Sequence, residues 1–262
     1  MLDTVKCQQL AESLFLAEQS RLAVAPITEE LTNFSIEDAY AVQMHGIEAR
    51  MGKTNRVVGK KIGLTSIAMQ NLLGVFEPDY GHLLSDMEVV DGGTIRLKGL
   101  MQPKVEAEIA FLLKKDLVGP GVSTSDVIRA TEAVVPSLEI VDSRVRDWRI
   151  KIQDTVADNA SSARFVLGGR LTRVENLDLS LIGMVFKKNG EVISTAAGAA
   201  VLGHPAAAVA WLANKLGEYG ITLKAGEVVL SGAFTAAVVP ASGDYFEGCF
   251  DRLGIVCVRF GE

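Results

Sequence analysis

Three glutamates stand in apolar surroundings that give them no obvious purpose. The stretch QPKVEAEIAFLL, Gln102 to Leu113, has the apolar content of a buried strand, yet Glu106 and Glu108 sit two positions apart within it. Residues two apart on a strand face the same side, so Lys104, Glu106, Glu108 and Ala110 would line one face and Val105, Ala107, Ile109 and Phe111 the other. The two carboxylates could stand in water on a half-exposed strand, or converge on a hard divalent cation that offsets the cost of burying them. A second apolar run, VVPSLEIVDSR, carries Glu139 with Asp142 and Arg144 close behind. Two such runs favour metal binding over coincidence. The chain has three histidines, none at ligand spacing to another, so a histidine-rich zinc site has little support and oxygen donors point to Mg²⁺ or Mn²⁺.

Other polar clusters are weaker signals. GKKIGLTS puts Lys60 and Lys61 inside a strand-like run, where successive residues must point to opposite sides. An inward lysine is more often snorkelling or salt-bridged than catalytic. EPDYGHL and DTVADNASS have the turn residues of polar loops, and each alone is more often structural than functional. AAGAAVLGH lacks the strand and GxGxxG context of a dinucleotide site, and neither a P-loop nor a GxSxG elbow occurs.

The elements that must position these groups divide unevenly. Residues 1–56 are expected to be a small helical region: Leu10, Leu14, Leu16 and Ala17 recur at near-helical spacing, and Ser35 with Asp38 forms a capping-box pattern. Residues 57–262 are expected to be a larger β-rich body of short apolar runs broken by glycine. Asn189-Gly190 in KKNGEV predicts a hairpin, and HPAAAVAWLANKLGEYG predicts one helix, with Pro205 near its start and Gly220 past its end. No repeat or low-complexity linker interrupts the chain.

Composition narrows the class. The chain has 262 residues, nearly half of them apolar, with no apolar run near the roughly 18 residues that cross a bilayer. The first twenty residues, with Asp3 and Glu12, do not have the pattern of a signal peptide. Three scattered cysteines predict neither a disulfide framework nor a thiolate zinc site and fit a reducing cytoplasm. A net charge of −6 argues against nucleic acid, while a small anionic substrate needs only a local cation.

Taken together, GKKIGLTS, EPDYG, PKVEAEIAF, LEIVDSR, DTVADNAS and GAAVLGHPAAAVAWLANKL resemble the 2-hydroxypentadienoate hydratase and 4-oxalocrotonate decarboxylase group of the fumarylacetoacetate hydrolase superfamily. The resemblance covers nearly the whole chain. It implies an α+β fold, a mixed β-roll body with a small helical N-terminal region, acting late in meta-cleavage of aromatic compounds and commonly forming homo-oligomers. It implies a Mg²⁺ or Mn²⁺ site of Glu106, Glu108 and Glu139, with Lys61 as the active-site lysine and Asp79 and Ser161 near the substrate. The expected reaction is addition of water to 2-hydroxypenta-2,4-dienoate. The alternative is decarboxylation of 4-oxalocrotonate: Asp79 points to the hydratase branch and GAFTAAV near Ala233 to the decarboxylase branch. A non-catalytic subunit in a hydratase–decarboxylase complex ranks below both, since the ligands and the lysine are present, as does a C–C bond hydrolase.

Overall fold

A computed structural model describes residues 1–66, 70–71 and 75–262. Three helices come first: α1 (Thr4–Ser20), α2 (Ile27–Glu30) and α3 (Ile36–Arg50). Ser35 caps α3 through a capping box with Asp38, as its sequence predicts. The remainder holds twelve described strands: β1 (Val57–Gly63), β2 (Asp79–Leu84), β3 (Glu88–Val89), β4 (Thr94–Arg96), β5 (Pro103–Leu113), β6 (Thr131–Asp142), β7 (Ser162–Leu167), β8 (Gly183–Lys188), β9 (Glu191–Ala197), β10 (Val228–Leu230), β11 (Tyr245–Phe250) and β12 (Gly254–Gly261). Between them lie helices α4 (Thr124–Ala130), α5 (Ile152–Ala157) and α6 (Pro205–Gly217). The α+β architecture, with helices at the N-terminus and a β-roll behind them, is the one expected.

The strands form a seven-stranded sheet in the order β2-β1-β10-β5-β6-β7-β3 and a five-stranded sheet in the order β4-β12-β11-β8-β9. The larger sheet curls until β2 approaches β7. Its inner face is floored by Leu83, Leu84, Met87, Ala110, Val135, Phe165 and Leu230. Its outer face, including Val105, Ala107, Ile109 and Phe111, joins the main core with Phe186, Phe246 and Phe260 of the smaller sheet. The alternation along β5 therefore holds, with the glutamates on the inner side. Residues from α1 and α3, such as Cys7, Leu10 and Val42, belong to that same main core. Gln43 of α3 adds bonds from Nε2 to the carbonyls of Tyr80 and Val156, fastening the helix to β2 and α5.

The hairpin falls where Asn189-Gly190 places it, with both residues at positive φ (55° and 85°) between β8 and β9. Helix α6 has Pro205 at its first turn. Two expectations need correction. EPDYGHL is not a loop: from Asp79 it is strand β2, buried at all six positions and paired with β1. DTVADNASS is largely helix α5 followed by a tight turn. Helices α4 and α5 are also additional to the single helix expected in this part.

Candidate functional site

The backbone ladder gathers the site. Glu106 on β5 lies directly opposite Glu139 on β6, and Glu108 lies opposite Ser137. Cross-strand partners share a face, so the register alone brings Glu106, Glu108 and Glu139 together. One carboxylate oxygen from each lies within 4.8 Å of the other two. Glu108 and Glu139 are buried and Glu106 is half-buried. Gly232, at φ +109°, turns its N–H toward Glu108 Oε2 at 2.8 Å and so fixes that carboxylate. A Cβ at this glycine would fall 2.2 Å from Thr65 Oγ1.

Lys61 enters from β1, two strands from β5 and three from β6. Its ammonium lies 3.2 Å from Glu139 Oε2 and is 4% exposed. Lys60, its neighbour, points the other way and pairs with Glu227 at 2.8 Å. Asp79 opens β2 opposite Gly63. Its carboxylate occupies the space a side chain on Gly63 would need: a Cβ there would sit 2.1 Å from Asp79 Oδ1 and 3.5 Å from Lys61 Nζ. The structure thus brings together five of the six expected residues. Ser161 arrives differently, on a turn against β2, and its hydroxyl is 3.3 Å from Thr155 Oγ1.

That turn is unusual. Asn159, Ala160 and Ser161 all have positive φ (54°, 49° and 55°), a left-handed run that costs about 1–2 kcal/mol per non-glycine residue. Asn159 holds it to β2 by accepting from His82 N–H and donating to His82 O. Arg144 holds it from the other side, donating from Nε to Asp158 Oδ1 and from Nη2 to Asp158 O, both at 2.5 Å. Burial, then the nearby Lys60 charge, pushes His82 down to about 3, and its Nδ1 lies 3.0 Å from Gln43 Oε1. The sequence singled out Arg144 without a role for it, and gave no signal for Gly232, Gly63 or Asn159 at the site.

Electrostatically the cluster lacks positive charge. Burial works against the Lys61 ammonium, but Glu139, Asp79, Glu106 and Glu108 outweigh it and hold the lysine above its ordinary value. The acids shift upward. Burial, then the charge of Glu139, pushes Glu106 up to about 7 and Glu108 well above the carboxylate range. Burial also raises Glu139 and Asp79 despite Lys61. Among the described residues four carboxyl groups face one ammonium; Asp79 Oδ1, Glu108 Oε1 and Glu139 Oε1 are buried without a hydrogen bond, and Glu139 Oε2 meets the Lys61 ammonium at 3.2 Å. Unpaired buried carboxylates are expensive, and a dication is the group that would satisfy them. Three carboxylate oxygens gathered within 4.8 Å of one another are the hard donor set that Mg²⁺ or Mn²⁺ takes.

With this geometry in place, residues 77–260 match the fumarylacetoacetate (FAA) hydrolase C-terminal family. The chain belongs to that family. Within the FAA hydrolase family it is 49% identical to a 2-hydroxyhexa-2,4-dienoate hydratase of Comamonas testosteroni, over 96% of each chain. It is 47% identical to a 2-keto-4-pentenoate hydratase of Paraburkholderia xenovorans LB400, over 97% of this chain and 94% of that one. Among solved FAA hydrolase structures it resembles 4-oxalocrotonate decarboxylase from Pseudomonas putida G7, complexed with magnesium and adipate. The two superimpose with a TM-score of 0.96 at 41% identity over 99% of both chains.

Proposed function

We propose that this protein is a divalent-metal-dependent lyase that hydrates 2-hydroxypenta-2,4-dienoate to 4-hydroxy-2-oxopentanoate. The observation that carries the reading is the buried triad of Glu106, Glu108 and Glu139, with unpaired oxygens, beside Lys61 and Asp79. Near-full-length identity of 47–49% to dienoate hydratases supports it. The triad would hold Mg²⁺ or Mn²⁺, which when bound supplies Lewis-acid polarisation to a chelating 2-hydroxy or 2-oxo acid.

The chain's own groups do the rest. Lys61, kept protonated by its acidic neighbours, places positive charge where the substrate's 2-oxygen becomes anionic. The proton lost from that oxygen is regained at C5, giving the α,β-unsaturated 2-oxo acid. Water then adds at C4: Asp79 accepts one of its protons, the hydroxide oxygen bonds to carbon, and C3 is protonated as the 2-oxo group re-forms. One water is consumed and nothing is released. Asp79 suits the task because burial raises its basicity toward the working pH. Ser161 would hydrogen-bond the substrate with its hydroxyl oriented by Thr155.

A second reading, decarboxylation of 4-oxalocrotonate, draws on the superposition with the Pseudomonas putida decarboxylase. Asp79 weighs against it, because a buried carboxylate there would repel the additional carboxylate of that substrate. Under either reaction the protein is expected to be a cytoplasmic homo-oligomer, alone or with a partner enzyme of the pathway, and the three free cysteines fit that compartment. The test is incubation with 2-hydroxypenta-2,4-dienoate and with 4-oxalocrotonate separately, following products. Hydration of the first with little CO₂ from the second is expected; rapid CO₂ release without hydration transfers the assignment to the decarboxylase.

A further inference from the structure

We propose that Arg144 is a positioning residue of the site, clamping the left-handed turn Asn159–Ser161 so that Ser161 and strand β2 hold their working places. The inference rests on the site reading above. Arg144 is 5% exposed and lies beyond the end of β6, five residues after Glu139. Its guanidinium spans the turn. Nε and Nη2 bind the carboxylate and the carbonyl of Asp158, which precedes the turn, while Nη1 binds Ser162 O, which follows it, at 3.3 Å. Nη1 also binds Asp142 O at 2.6 Å, and the backbone N–H of Arg144 donates to Asp158 Oδ2 at 2.9 Å. One side chain thus ties both ends of three consecutive left-handed residues to the strand that carries Glu139.

Such a turn persists only where its surroundings over-determine it. The second tie is Asn159, bonded both ways to His82 of β2. The carbonyl of Asn159 also lies so close over Gly81 that a Cβ there would be 2.4 Å away, and Gly81 is the register partner of Lys61. Arg144, the turn, β2 and Lys61 form one connected path of backbone and side-chain contacts. A planar fork with several donors suits this task and an ammonium does not. The back of the clamp, with Arg144, Asp158 and Asn159, lines a cavity of about 50 Å³ between α1 and α3. That cavity gives a small cation a place next to a truncated residue 144.

The test is a double-mutant cycle of Arg144→Lys with Ser161→Ala, read on whichever substrate the wild type turns over. Arg144→Lys is expected to lower kcat by on the order of a hundredfold, as displacement by about 1 Å does, with KM for substrate and Mg²⁺ affinity nearly unchanged. In the Ser161→Ala background the same substitution should cost clearly less than it does alone, the remainder being the part carried through β2 and Lys61. If Arg144→Lys folds poorly, Arg144→Ala should regain kcat on addition of methylguanidinium at sub-denaturing concentration. Equal losses in both backgrounds would overturn the proposal, as would a lowered Tm with kcat intact or a fully active Ser161→Ala. A wild type that decarboxylates instead of hydrating would overturn the preceding reading and leave this cycle interpretable.

Discussion

Two clusters of buried charge lie at the end of β6, and they are built on opposite principles. Around Arg144 and Asp158 each charged group meets partners: the guanidinium makes four side-chain hydrogen bonds and both carboxylate oxygens accept. Around Glu139 the reverse holds, with four carboxyl groups sharing one lysine and several oxygens left bare. Both clusters are largely buried. The first is complete within the chain, whereas the second is stable in its ionised form only with something added. Burial alone therefore does not mark a site; unmet valence in a buried group does.

The comparison breaks most sharply at Glu108. Glu108→Gln keeps the shape and the Gly232 contact while removing a ligand charge. It should lower Mg²⁺ affinity by at least ten- to a hundredfold, as losing even an outer partner of a ligand does, and abolish most turnover; full activity after exhaustive chelation would refute the metal assignment. Next come the paired lysines. Lys61→Met should cost roughly a hundredfold in kcat/KM, or about 3 kcal/mol, measured with Mg²⁺ present so that the carboxylates keep a counter-charge. Lys60→Met breaks a partly buried ion pair with Glu227 and should cost about 1–3 kcal/mol of stability, with specific activity of the folded fraction retained. Denaturant melts and steady-state kinetics on both variants check this, and similar kinetic losses would contradict it.

The unmet valence also predicts a pH dependence. In the metal-free protein Glu106 titrates near 7 rather than at its ordinary 4.5, so the folded state holds protons that the unfolded chain has released. Stability from this source is present below about pH 4.5 and is lost as pH rises through about 7. Mg²⁺ replaces those protons, so its stabilisation should grow across the same window. Differential scanning fluorimetry with and without Mg²⁺ measures it, and an equal Tm gain at both ends would contradict the account. The smallest effect belongs to the complete cluster. Ala160→Gly relieves one left-handed residue at some entropic cost and should raise stability by about 0.5 kcal/mol, a Tm rise of about 1–2 °C.

Much of this was legible in the chain itself. Glutamates two apart in an apolar run can share only one face, and adjacent lysines can only diverge, so β5 and β1 could be read residue by residue. Strand β2 could not. Pro78, Asp79 and Gly81 carry turn preferences, and what makes residues 79–84 a strand is pairing with β1 and burial at every position, neither of which is local. Helix α4 had a signal in Ser123 and Asp126, which form a capping box, but it is too short to show a helical period. The turn at 159–161 showed only as polar turn residues, not as a left-handed run: Asn tolerates positive φ, Ala and Ser do not, and the groups that enforce it are Arg144 and, far away in sequence, His82.

The facing of Glu106 and Glu139 across β5 and β6 has a consequence for how this molecule can change. The positions of these carboxylates are set by a hydrogen-bonded ladder, so neither can drift alone: a slip of one residue would turn each carboxylate into the opposite core, and a slip of two would exchange its partner. The groups beside that ladder are mounted differently, Asp79 at the first residue of a strand and Ser161 on a turn held from outside. Selection for another substrate should therefore accumulate substitutions around residues 79 and 158–162 and spare the interiors of β5 and β6. The ladder works as a fixed chassis, and the chemistry is exchanged at its rim.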